Sequence, residues 1–173
     1  MLVMGVCNPQ GEKDEYNGLY FTDTELRDLE GGLKSIPVKA EHKGDQLGEI
    51  VSSFVDEEGR LQCLMRLNDS VEGAIAQGLV KNGIASELSL GYSVDVEHSN
   101  NGNKLQARKK TVMEVSLVRK GARDRCYVLA FEGDNGVVFP RDKSSLRRVE
   151  KVEQMDQVDQ VDNAPAWSFF NLQ

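Results

Sequence analysis

From Leu88 to Val96 the apolar residues fall on every second position. Leu88, Leu90, Tyr92, Val94 and Val96 alternate with Ser89, Gly91, Ser93 and Asp95. A period of two is that of a half-buried β-strand. The polar loop Ser99-Asn100-Asn101-Gly102-Asn103 follows, and then a second strand ending in Met113, Val115 and Leu117 with Glu114 and Ser116 between. Asn-Gly is a strong hairpin signal, because both centre positions of the tight turn need positive φ. A turn centred on Asn101-Gly102 sets Ser89 opposite Glu114, with Cβ atoms about 4.5–5.5 Å apart. A single bulge would shift that register, so the two residues are taken as near neighbours and not as a strict pair.

Other segments follow the same logic. Thr22 to Leu33 reads as a helix: Thr22 and Glu25 fit a capping box, Leu26, Leu29 and Leu33 share a face, and Gly31-Gly32 marks the end. Ser35–Glu41 reads as a strand entered through Pro37, with Val38, Ala40 and His42 on one side. Gly48–Val55 and Arg60–Leu67 predict a hairpin joined by Asp56–Gly59. Asn68, Asp69 and Ser70 are N-cap candidates for a helix carrying Val71, Ala74, Ile75 and Leu79, with Gly83 as its stop. A last hairpin runs from Tyr127–Phe131 through Gly133–Gly136 to Val137–Phe139. Many short strands with few helices predict a mainly β (α+β) chain, a closed and mostly antiparallel β-barrel with a few flanking helices.

The pattern changes after Pro140. Lys143–Arg148 is basic, and five triplets from Val149 to Asn163 place an apolar residue on every third position, which suits neither helix nor strand. This divides the chain into a folded domain at 1–140 and a charged low-complexity tail or linker at 141–173, ending in the apolar cluster Ala166-Trp167-Ser168-Phe169-Phe170.

Composition narrows the function. A net charge of −7 over 173 residues argues against general nucleic-acid binding, which needs clustered Lys and Arg. No apolar run reaches the roughly 20 residues of a membrane span. No secretory-type leader opens the sequence, so the chain is expected to work in the compartment where it is made. Cys7, Cys63 and Cys126 are odd in number and widely spaced, which fits buried residues in a reducing compartment better than a disulfide framework or a nucleophile. With two histidines in all, His42 and His98, no metal site and no cofactor are expected.

Acyl transfer needs a nucleophile, a base, a group that orients the base, and donors for the oxyanion. His42 is the natural base, Ser89 the nucleophile and Glu114 the orienting carboxylate. Each alone is more often a surface or packing residue. The hairpin joins Ser89 to Glu114, whereas bringing His42 to them requires barrel-like closure. His98, beside the polar loop, is left out of the site.

Three segments resemble those of the herpesvirus maturational proteases (assemblins) and the related prohead serine proteases of tailed phages. They are Ile36-Pro37-Val38-Lys39-Ala40-Glu41-His42 with Gly48-Glu49-Ile50, then Leu88-Ser89-Leu90-Gly91-Tyr92, and Glu114-Val115-Ser116-Leu117-Val118-Arg119-Lys120-Gly121-Ala122-Arg123. The resemblance spans roughly Gly5 to Val128. It implies His42 as base, Ser89 as nucleophile and Glu114 as third member, where herpesvirus enzymes carry a second histidine and the phage type an acid. It also implies an oxyanion loop in which Ala122 acts through its backbone N–H and Arg123 through its side chain. Such donors are worth about 3–4 kcal/mol each.

The resemblance implies a capsid-maturation endopeptidase, with capsid and scaffolding proteins and the chain itself as substrates. Its place would be the interior of the procapsid in an infected cell, the cytoplasm for a phage and the nucleus for a herpesvirus-like host. Asp162–Trp167 is the expected self-cleavage region. Where the herpesvirus enzymes continue into additional helices that form their dimer interface, this chain changes to a low-complexity tail, so dimer-dependent activation is not carried over, and homo-oligomerisation stays open. Two alternatives stand beside this reading: a catalytically silent capsid assembly or scaffolding protein on the same barrel, and an unrelated β-barrel binding module.

Overall fold

The computed structural model describes residues 1–9, 19–98 and 105–140. The expected tail at 141–173, its self-cleavage region and the Asn101-Gly102 turn lie outside the described residues. The elements are β1 (Leu2–Asn8), α1 (Asp23–Asp28), β2 (Pro37–Ala40), β3 (Lys43–Val55), β4 (Leu61–Leu67), α2 (Val71–Lys81), β5 (Glu87–His98), β6 (Leu105–Val118), β7 (Val128–Glu132) and β8 (Val138–Pro140).

The strands form one eight-stranded mixed sheet in the order β5-β6-β2-β3-β4-β1-β7-β8. All pairs are antiparallel except β2 with β6, where Val38, Lys39 and Ala40 run parallel to Val115, Ser116 and Leu117. Among the described residues no continuous ladder closes this sheet into the expected barrel. The start of β5 meets the start of β7 through an isolated bridge, Glu87 with Tyr127, flanked by Leu88 N–H to Cys126 C=O at 3.1 Å and Val128 N–H to Ser86 C=O at 2.9 Å. One core lies against the sheet, with Phe21, Leu26, Leu47, Ile50, Met65 and Leu88 buried to within 1% exposure. Each such side chain contributes about 1.5–3 kcal/mol by leaving water.

The expected capping box is present: Thr22 Oγ1 accepts from Glu25 N–H at 3.2 Å and Glu25 Oε2 accepts from Thr22 N–H at 2.8 Å. The helix is shorter than Thr22 to Leu33, because the chain turns away to bond β3. Gly31, at φ 69°, donates its N–H to Ser53 C=O at 2.9 Å, and Leu33 N–H reaches Ser53 Oγ at 3.4 Å. The second helix starts at the expected cap, Ser70, but buries a different face. Gly73, Ala76, Leu79 and Val80 turn inward, while Val71, Ala74 and Ile75 face solvent. Gly73 decides this: a Cβ there would lie 2.0 Å from Asn68 Oδ1, so the glycine lets the helix pack closely against the preceding loop.

The strand expected at Ser35–Glu41 is confined to β2 because Ser35 and Glu41 both have positive φ, at 67° and 47°. The polar run His42-Lys43-Gly44-Asp45 leads straight into β3, with Ala40 opposite Lys43.

Candidate active site

The hairpin of β5 and β6 carries two of the predicted residues, and its register is set by two bulges. Near the turn the pairing is the expected one, His98 with Leu105 and Val96 with Ala107. Each bulge then adds a residue on β6, so Asp95 pairs Lys109 and Gly91 pairs Glu114. Ser89 therefore lies opposite Ser116, not Glu114. Because the shift totals an even number, Ser89 and Glu114 keep a common face. Met113, expected among the inward residues, stands at the second bulge and is 56% exposed.

His42 is presented by the two-residue link between β2 and β3. Glu41 and His42 have φ of 47° and 61°, the pair of positive values typical of a tight hairpin turn, without glycine at either position. Left-handed backbone at non-glycine residues costs about 1–3 kcal/mol each and persists where surroundings enforce it. Here Glu41 N–H donates to Leu117 C=O at 3.1 Å, and His42 N–H donates to Ser116 Oγ at 2.9 Å. Arg119 N–H donates to Glu41 Oε1 at 3.0 Å. Three bonds to β6 and its continuation thus hold the turn.

The side chains converge. His42 Nε2 lies 2.8 Å from Ser89 Oγ, and His42 Nδ1 lies 2.6 Å from Glu114 Oε1. A carboxylate at Nδ1 requires the proton on that nitrogen, which leaves the Nε2 lone pair to accept from the serine hydroxyl. The other carboxylate oxygen, Glu114 Oε2, accepts from Ser116 Oγ–H at 2.6 Å. Ser116 is fully buried and so ties the acid to the backbone of His42. Gly91 leaves room for the acid: a Cβ there would sit 2.0 Å from Glu114 Oε1. Ser89 and Glu114 are 7% and 8% exposed, whereas the His42 side chain is 44% exposed. The His42 pKa is raised above 6.5, first by its hydrogen bond to Glu114; partial burial opposes this, and the charges of Glu114 and Glu41 add to it.

Ser89 and His42 open onto a cleft of about 360 Å³ that Ala122 and Arg123 also line. Leu19, Leu90, Tyr92 and Val94 supply its apolar surface. Arg123 is 7% exposed and donates through one terminal nitrogen to Leu19 C=O and Tyr92 Oη, each at 3.3 Å. Gly121 N–H donates to the carboxylate of Glu87, which tethers the loop bearing Ala122 and Arg123 to the strand bearing Ser89. A Cβ on Gly121 would lie 2.9 Å from Leu88 C=O.

Four of the five predicted site residues, Ser89, His42, Ala122 and Arg123, thus line one cleft, and Glu114 joins them through its contact with His42. Ser116, Gly91 and Tyr92 were not singled out from the sequence. The available signal was position, since Ser116 lies two residues from Glu114 and shares its face of β6. The three cysteines, far apart in sequence, are all buried. Cys126 Sγ–H donates to Cys7 C=O at 3.2 Å, and burial, reinforced by Cys63 and Cys126, pushes the Cys7 thiol well up. Such thiols are poor nucleophiles at neutral pH. Among the described residues no cluster of His, Cys, Asp and Glu could hold a metal, and no helix is long and apolar enough to cross a membrane.

Neither a protein-family model nor a curated protein sequence matches the chain. Solved structures do. The protease of Kaposi's sarcoma-associated herpesvirus in complex with a hexapeptide phosphonate inhibitor is 14% identical, with a TM-score of 0.52 over 98% of this chain and 85% of that one. The same viral protease with an allosteric inhibitor is 13% identical, with a TM-score of 0.47 over 96% of this chain and 100% of that one. At this identity the first match carries the fold: the chain shares the protease fold of the herpesvirus enzyme.

Proposed function

We propose that the chain is a serine endopeptidase of the capsid-maturation type. The observation that carries this is the unbroken chain Glu114–His42–Ser89, with contacts of 2.6 and 2.8 Å, opening on a cleft. Ser89 Oγ attacks the scissile carbonyl while its proton passes to His42 Nε2. Glu114 stabilises the imidazolium that forms, and His42 then returns the proton to the leaving amine. The Ala122 N–H and the Arg123 guanidinium serve the tetrahedral oxyanion. A peptide is the favoured substrate because the cleft follows β5 at Ser89, Leu90, Gly91, Tyr92 and Val94. Beyond the Glu87 bridge these residues have no strand pairing on their outer side among the described residues, and such an edge can accept an extended chain.

Substrate identity rests on the fold likeness and the sequence resemblance: capsid or scaffolding protein, and the chain's own Asp162–Trp167 region, acted on inside a procapsid, with self-association part of the same reading. A catalytically silent assembly protein need not keep the three residues within reach of one another, so the distances favour the enzyme. Fluorophosphonate labelling with peptide mapping is the test. The expected result is an adduct on Ser89, absent in Ser89→Ala and strongly reduced in Glu114→Ala. An unlabelled native protein would favour the silent assembly protein. For the substrate, mass spectrometry should show loss of the tail in the active protein and its retention in Ser89→Ala.

A further inference from the structure

Lys110 is a nearly buried lysine for which the triad has no use. Its side chain is 9% exposed, and its Nζ lies 2.7 and 2.9 Å from the two carboxylate oxygens of Glu25 on α1. The same ammonium stands 5.2 Å from the centre of the Phe21 ring. Phe21 is buried and meets Tyr92 edge-on, with ring centres 5.0 Å apart at 75°. Tyr92 Oη and Leu19 C=O share the Arg123 guanidinium, which also lies 6.0 Å from the Tyr92 ring centre. Leu19 and Tyr92 are apolar walls of the cleft.

These contacts form a route from Lys110 to the cleft. A charge removed from water gains strength from both an ion pair and an aromatic face. Here each contact binds a different point of the segment from Leu19 to Glu25: Arg123 its start, Tyr92 and Lys110 its ring, Lys110 its helix. We propose that Lys110 is a positioning residue, holding the Leu19–Phe21 segment against Tyr92 and thereby fixing the apolar wall that receives substrate side chains. This rests on the endopeptidase reading. Lys110 itself touches no reacting group.

A structural ion pair alone would affect all activities together, so the test separates the wall from the triad. Two probes serve, a small alkyl fluorophosphonate that needs only the triad, and peptidyl phosphonates carrying Ala, Val or Leu next to phosphorus. The variants are Lys110→Met, which keeps the stem, and Glu25→Gln, which keeps the capping box. Both should slow labelling by the preferred peptidyl probe about five- to tenfold through weaker initial binding, a size in keeping with the loss of one such anchoring contact. Labelling by the small probe should stay within about twofold of wild type. Amide hydrogen exchange should quicken over residues 19–25 and stay unchanged at Ser89 and Glu114. Parallel loss with both probes, or no change with either, overturns the proposal, as does a wild type with no preference for any peptidyl probe. A wild type that neither probe labels would fail the endopeptidase reading, and the exchange data would then still decide whether Lys110 holds the segment.

Discussion

The turns on either side of β3 solve the same problem by opposite means. Asp56–Gly59, between β3 and β4, is built from local chemistry. Gly59 takes a φ of 73° at no steric cost. Asp56 Oδ1 accepts from the N–H groups of Glu58 and Arg60 at 3.0 and 2.9 Å, and Oδ2 accepts from Arg60 Nε at 2.7 Å. Burial would raise the Asp56 pKa, but its bonds from Arg60 and Gln62 outweigh that and lower it. The Glu41-His42 turn has positive φ without glycine, and its holding bonds come from β6 and the chain just beyond it. A relaxed turn serves the fold, and a turn held from outside serves a side chain that must point in one direction.

The comparison can be broken most severely at the triad. Ser89→Ala or His42→Ala should lower peptidase turnover by roughly 10⁴–10⁶-fold, with thermal stability nearly unchanged in Ser89→Ala, because removing a member of a catalytic unit removes most of its effect. Steady-state kinetics with a melting curve checks this. Gly91→Ala should come next, with activity down about 100-fold, as a displacement of about 1 Å at a catalytic group can cost that much. The added methyl occupies the place of the Glu114 carboxylate, and labelling of Ser89 should slow in step. Ser116→Ala strips a donor from Glu114 and an acceptor from the His42 turn. An unmet buried polar group costs about 1–3 kcal/mol, so activity should fall about 10- to 100-fold. Asp56→Ala should do the reverse of all three, costing about 1–3 kcal/mol in denaturant unfolding while leaving labelling within about twofold.

The smallest effect is a shift in pH dependence. His42 must be neutral to act as a base, and its pKa is raised above 6.5, so the acid limb of the labelling rate should lie above 6.5. Glu114→Gln should move that limb down as well as lowering the rate. For stability the sign is opposite. A raised folded pKa means the His42–Glu114 attraction is fully present below the unfolded value and fades as pH rises through the folded one. Melting temperature against pH, compared between wild type and Glu114→Gln, reads that change.

Much of the site was legible. The alternation around Ser89 and Glu114 identified two residues on adjacent strands that share the face opposite the apolar one, and that common face survived a wrong register because two bulges shift it by an even step. The capping box at Thr22 and the Asp56–Gly59 turn were legible because the groups that stabilise them are neighbours in sequence. The outward face of α2 was misread because Val71 and Ile75 are apolar, whereas close approach at Gly73 decides which side packs.

What the sequence determined by itself was therefore the set of chemical groups, the strands that carry Ser89 and Glu114, and the side to which they point, since side-chain direction follows a period of two. The tertiary structure alone decided how His42 reaches them. Val38 to Ala40 run parallel to Val115 to Leu117, a pairing between strands distant in the chain, and that pairing places Ser116 under the His42 amide. No local preference would select positive φ at Glu41 and His42, because the energy that holds them there comes from contacts more than 70 residues away, such as the 74 that separate His42 from Ser116.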